Sequence, residues 1–191
     1  MLSWNRNKIE TDGWSFGKVK DFSIFSNFDC ADPDLNDFIR NDAELHRNEL
    51  IVETYEFRSI SDAQLVAFVS LANDCLALET NRQKRVICNR VRYYSQYPAV
   101  KIARLGVAAY CQNVGIGSEL INIIKELFTT NNRTGCRFIT VDAYNNSPTI
   151  KFYQKNDFEF LRDDDGDEKT RIMYYDLKRF VYNTSPVINE G

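Results

Sequence analysis

No CxxC pair, no long apolar run and only one histidine occur in these 191 residues. The five cysteines, at 30, 75, 88, 111 and 136, are odd in number and widely spaced. That argues against a disulfide framework or a zinc site and fits reduced thiols in a cytoplasmic compartment. No segment approaches the length needed to span a bilayer. The opening MLSWNRNKIETDGW lacks the apolar stretch of a signal peptide, so no membrane partner is expected. Net charge is only −3, which leaves no global field toward nucleic acid, although a local basic face remains compatible with it. There is no internal repeat and no low-complexity linker. What is abundant is aromatic side chain, thirteen Phe and ten Tyr, which suits a packed core. The length fits a single domain over 1–191, with a flexible tail at 183–191.

Patterning predicts a mixed order of elements. A first strand is expected at FGKVKDF (16–22). Asp32 then caps a helix with Pro33 at its first position, its apolar face carrying Leu35, Phe38, Ile39 and Leu45. IVETYEF (51–57) and QLVAFVSLA (64–72) read as antiparallel strands. Residues 73–99 are the least legible. They include NRQKRVICNRVRYY, where Arg82, Lys84, Arg85, Arg90 and Arg92 stand without one acidic residue. That run reads either as a solvated face or as a surface for a phosphate-rich partner. After Pro98, VKIARLGVAA reads as a buried strand. Ile116, Leu120, Ile123, Ile124 and Leu127 then form the stripe of a core-facing helix. CRFITVDA (136–143) is a strand, Ser147-Pro148 opens a short helix through Tyr153, and DFEFL is a brief strand. DDDGDE (163–168) is an acidic turn and TRIMYYDL (170–177) a last strand. Consecutive strands followed by alternating ones predict an α/β (α+β mixed) fold with helices on a mixed sheet.

Only eight glycines are present, and two of them sit one residue apart in QNVGIGSELI (112–121). A strand, then a glycine loop, then an amphipathic helix places unpaired amides at the positive end of a helix dipole, a ready anion site. A plain tight turn that binds nothing is the other reading. A Walker-type loop is disfavoured, because Ser118 and Glu119 follow Gly117 where a lysine is needed. A dinucleotide loop lacks its third glycine, Leu120 standing there, although Asp142 lies at a suitable distance downstream.

The remaining ligand is coenzyme A. LGVAAYCQNVGIGSELI resembles the central motif of the GNAT N-acetyltransferases, Gln or Arg-x-x-Gly-x-Gly or Ala, with Gln112, Gly115 and Gly117 in place. NSPTIKFYQKNDF resembles the family's Asn-x-x-x-x-x-Phe-Tyr-x-x-x-Gly-Phe segment through Asn146, Phe152, Tyr153 and Phe158. Asp157 replaces the glycine, at a position that needs a left-handed conformation Asp tolerates. The resemblance covers residues 100–161. It implies a central mixed sheet of six to seven strands flanked by helices, and acetyl transfer from acetyl-CoA directly to a primary amine. It further implies that the strand splays after Val107, whose N–H faces the thioester carbonyl. Main chain near Leu105 would pair with the pantetheine arm, and the amides of Gln112, Asn113, Val114, Gly115, Ile116, Gly117 and Ser118 would hold the diphosphate. Asn146 contacts the coenzyme, and Tyr153 serves as general acid toward the leaving thiolate. His46, Glu53, Glu56 and water are candidate bases, none assigned. Cys111 reads as a small buried residue rather than a nucleophile, and no metal is implied.

FDCADPDLNDFIRNDAELHRNEL resembles the opening of a GNAT branch that includes toxins acetylating aminoacyl-tRNA. This makes charged tRNA the alternative to a small-molecule amine, with residues 82–92 as a candidate basic surface and the acidic run at 163–168 opposing it. The branch also implies a small antitoxin partner, and many relatives are homodimers. A catalytically silent acyl-CoA-binding domain is the reading from another class, disfavoured by the presence of Tyr153.

Overall fold

The structure, a computed structural model, describes residues 3–5, 8–10, 13–78, 80–84, 94–130, 132 and 134–184. By contacts the chain divides into two compact units, Met1–Ala72 with Ile102–Asn122, and Asn73–Lys101 with Ile123–Gly191. Strands β5 (Leu65–Leu76) and β6 (Tyr97–Val107) and helix α4 (Ile116–Leu127) contribute residues to both units.

The first unit is built on an antiparallel meander. Strands β1 (Ser3–Asn5), β2 (Lys8–Glu10), β3 (Trp14–Lys18) and β4 (Glu53–Ser59) lead into β5, in the order β1-β2-β3-β4-β5-β6. The first strand expected from patterning is thus the third, and it stops at Lys18. Beyond it the Asp21 carboxylate accepts the Ser23 amide at 2.9 Å and starts a 3-10 turn over Phe22–Phe25. Asp32 does cap a helix: its Oδ1 accepts the Leu35 amide at 3.1 Å with Pro33 in the first turn. Helix α1 (Pro33–Asp37) passes through a π-turn (Phe38–Asp42) into α2 (Ala43–Asn48). The wider turn absorbs one extra residue and rotates everything after it. Ala43 is therefore buried, and Leu45, expected inside, is 60% exposed.

The core of this unit gathers Phe22, Phe25, Phe28, Phe38, Ile39 and Phe68. Phe28 and Phe25 meet Phe68 edge-on, with centroids 5.5 and 5.8 Å apart. A β-carbon at Gly106 would lie 2.5 Å from Phe68 Cε1. The ring is fully buried, edge-on to Phe25 and Phe28. Gly106→Ala is therefore expected to cost about 1–3 kcal/mol by overpacking. A thermal melt should fall by about 3–10 °C. An unchanged midpoint would refute this account of Gly106.

In the second unit the strand order is β5-β6-β7-β9-β8, with β7 (Phe138–Tyr144), β8 (Glu159–Phe160) and β9 (Thr170–Asp176). Strands β7 and β9 pair antiparallel from Phe138 opposite Asp176 to Tyr144 opposite Thr170. Helix α5 (Ser147–Lys155) packs on β7. Leu76, Tyr97, Phe138, Leu161 and Tyr174 form the core cluster. Pro98 lies inside β6 instead of preceding it. It lacks an N–H, but its carbonyl accepts the Arg137 amide at 2.9 Å. α3 (Asn81–Lys84) holds the start of the basic run, and residues 85–92 lie outside the described residues. Helix α6 (Leu177–Thr184) was not expected. It occupies the first residues of the supposed tail, of which 185–191 lie outside the described residues.

The fold is the expected mixed α/β class, with nine strands among the described residues where six to seven were implied. The two strands that patterning did not predict, β1 and β2, are three residues long and too short to show alternation. Among the described residues no helix is long and apolar enough to cross a membrane.

Candidate active site

The glycine loop lies in the first unit and is fixed at its entry. Strand β6 ends at Val107, and the next two amides are taken: Ala108 donates to Val66 O at 2.8 Å, and Ala109 to Asp29 O at 2.9 Å. A 3-10 turn over Ala109–Cys111 follows. Asn113 (φ 64) and Gly115 (φ 96) then adopt left-handed conformations before α4 begins at Ile116. Such reversals turn successive amides toward one side, the geometry of an anion-binding nest.

The open donors can be named. Ser118 and Glu119 both donate to Gly115 O, at 3.0 and 3.1 Å. The amides of Asn113, Val114, Gly115, Ile116 and Gly117 have no acceptor among the described residues. Residues 112–115 are exposed, and nothing lies within 4 Å of where a Gly115 β-carbon would stand. Five unpaired amides at a helix N-terminus in open space fit a diphosphate. Gln112 and Ser118 were expected among these donors, and the structure instead places their amides on the Ala109 and Gly115 carbonyls. The Gln112 side chain turns inward, with Nε2 donating to Cys30 O at 2.8 Å and Val107 O at 3.1 Å. Nothing in the sequence pattern signalled that role.

The second motif lies in the second unit. Asn146, not Ser147, is the N-cap of α5: its Oδ1 accepts the Thr149 amide at 2.9 Å, and the residue is exposed. Tyr153 is buried, its ring set against Phe152 and Phe158 with centroids 5.0 and 5.2 Å away. The phenol has no hydrogen-bond partner among the described residues. Burial raises its pKa, so it keeps its proton well beyond neutral pH. Helix α5 ends in a Schellman motif. Phe158 N donates to Tyr153 O and Asp157 N to Gln154 O, both at 3.0 Å, with Asp157 left-handed at φ 67. Asp157 thus takes the conformation expected where a glycine is usual. Lys125, buried on α4, donates from Nζ to Asn156 O at 3.1 Å and lies 4.0 Å from the Tyr175 ring centroid, and burial lowers its pKa.

The candidate bases are engaged elsewhere. Glu53 pairs with Lys18 and Glu56 with Arg58, each at 2.7 Å. His46 meets the Phe38 ring edge-on at 5.5 Å. Burial pushes the Cys111 thiol up, against a nucleophile's need. All four described cysteines are free thiols. Among the described residues no group of three or more His, Cys, Asp or Glu is arranged to hold a metal ion.

A helix whose first amides lack acceptors among the described residues, in a mixed-sheet chain, is an arrangement suited to an anion. The chain belongs to the GNAT acetyltransferases: the family model "Acetyltransferase (GNAT) domain" matches residues 65–160. It is accordingly an acyltransferase with acetyl-CoA as co-substrate. No curated protein matches it by sequence. Solved structures do resemble it in fold. A tyrosine-to-phenylalanine mutant of KacT superposes with TM-score 0.73 at 19% identity, covering 90% of this chain and 99% of that one. AtaTR bound with AcCoA gives 0.68 at 19%, covering 92% and 100%. AtaT complexed with acetyl-methionyl-tRNAfMet gives 0.70 at 19%, covering 90% and 99%.

Proposed function

We propose that this acetyltransferase modifies the α-amino group of an aminoacyl-tRNA. The observation that carries the reading is a likeness in fold running over 90% of the chain to AtaT, a protein solved with an acetylated methionyl-tRNA. The resemblance of residues 28–50 to the toxin branch points the same way. In this reading the loop amides hold the coenzyme diphosphate, Val107 N–H polarises the thioester carbonyl, main chain at Leu105 pairs with the pantetheine arm, and Asn146 contacts the coenzyme through its side-chain Nδ2, its backbone N–H being donated to Tyr144 O. The amine nitrogen attacks the thioester carbon, the C–S bond breaks, and the thiolate takes the Tyr153 proton. The amine's proton leaves to water, since Glu53 and Glu56 are paired. Orientation and stabilised charge supply most of the rate.

Two partner proposals belong to the same reading: a small antitoxin, as AtaT has in AtaR, and a second copy of this chain. The experiment is acetylation by purified protein of charged tRNA pools in parallel with polyamines, aminoglycosides and peptides, using labelled acetyl-CoA. Label should enter the aminoacyl group and be released by mild alkali together with the amino acid. Transfer confined to small amines would overturn the tRNA acceptor while leaving the acetyltransferase in place.

A further inference from the structure

The segment Asp29–Asp32 and the glycine loop are far apart in sequence yet joined by main-chain carbonyls. Asp29 Oδ1 accepts from the Ala31 amide at 2.8 Å and from Asn36 Nδ2 at 2.7 Å. Asn36 Oδ1 in turn accepts the Cys30 amide at 2.9 Å and lies 3.2 Å from the Cys30 thiol. These bonds hold Ala31 at φ 61, a left-handed conformation that a residue with a β-carbon adopts only under constraint. The constraint aims three successive carbonyls outward. Phe28 O receives the Arg40 guanidinium, Asp29 O receives the Ala109 amide, and Cys30 O receives Gln112 Nε2. Gln112 uses its second amide hydrogen on Val107 O, so one NH2 group ties this turn to the end of β6.

We infer that Asp29, Asn36 and Gln112 form a positioning brace that presets the coenzyme loop before the coenzyme arrives. The inference rests on the reading of the loop as the diphosphate site. Gln112 contributes through its side chain, inward, and neither Asn36 nor Asp29 touches the ligand. The Asp29 carboxylate accepts the Ala31 amide and the Asn36 side chain, which hold its pKa below the usual range, so the brace stays charged at neutral pH. A loop already in its bound shape avoids the ordering cost that a slack loop incurs on binding. The brace therefore acts on affinity and not on the chemical step.

The test uses free coenzyme A binding by calorimetry, with kcat at saturating acetyl-CoA beside it. Gln112→Ala should weaken coenzyme A by about 10-fold, the effect of two lost hydrogen bonds and a loosened loop, and Asn36→Ala, away from the ligand, should hold kcat within about 3-fold. Gln112→Arg, which keeps donors at the same place, should recover most of that loss. Asn36→Ala should weaken binding by about 3- to 10-fold, and the double variant should fall short of the product, because both act on one segment. Unaltered affinity in a folded Gln112→Ala protein would overturn the brace. So would weakening by Gln112→Ala with none by Asn36→Ala, since Gln112 would then touch the coenzyme directly. If the unsubstituted protein binds no coenzyme A, the loop assignment itself has failed, an outcome distinct from both.

Discussion

A Tyr153→Phe enzyme is expected to bind acetyl-CoA as tightly as the parent and to turn over about 10²- to 10³-fold more slowly, the range for loss of a positioned general acid. The ring is clasped by Phe152 and Phe158 and locked by the Schellman turn through the Tyr153 carbonyl, so phenylalanine keeps the same place. The hydroxyl has no partner among the described residues, so its removal strands no buried group there, and the melting midpoint should hardly move. The pH dependence follows from the same burial. Desolvation raises the phenol's pKa, which favours the protonated acid as pH climbs. The parent's kcat should consequently show no descending alkaline limb near the ordinary tyrosine value of ~10. Stopped-flow measurement of thiol release at saturating acetyl-CoA would check both points. Undiminished release by Tyr153→Phe would end the acid assignment.

The parts of this molecule that were legible in its sequence are those governed by local rules. Asp32 and Pro33 start a helix wherever they stand in that order, and the i, i+4, i+7 stripe of α4 marks its buried face. The left-handed Asp157 was anticipated through the family resemblance, whose glycine at that position marks a left-handed helix end. Longer-range features were not visible. Leu45 was misplaced because a π-turn, which no residue type announces, shifted the helical phase. Gln112 was read for its backbone, while its side chain bonds to a carbonyl 82 residues away. Carbonyls are common to every residue, so a bond to one leaves no trace in the sequence. The same holds for Asp29 and Asn36, whose side chains fix a turn by bonds to neighbouring amides. Family resemblance supplied what local rules could not, the pairing of two motifs with a chemistry.

Replacing Gly115 separates the site from the fold. At φ 96 the backbone is in a region where a β-branched side chain is strained by about 1–2 kcal/mol or more. No protein atom lies within 4 Å of the added β-carbon, in contrast to Gly106, where Phe68 stands in the way. A Gly115→Val protein therefore has no internal clash to resolve. It relieves its strain by turning the backbone at the exposed residues 113–115, beyond the braced entry at Gln112. That rotation carries away the amides of Asn113 to Gly117, each of which contributes about 1.5–3 kcal/mol when its acceptor is charged. Loss of one such bond beside the strain amounts to about 10²-fold in coenzyme A affinity, with Gly115→Ala intermediate. The melting midpoint of the coenzyme-free protein should move by at most a few degrees, because residues 109–115 contribute no buried core side chain. Gly106→Ala should show the opposite signature, a lower melt and an unchanged coenzyme A affinity in the folded fraction. If Gly115→Val binds coenzyme A like the parent, the open amides are not the diphosphate's ligands, and the coenzyme must be held by another part of the chain.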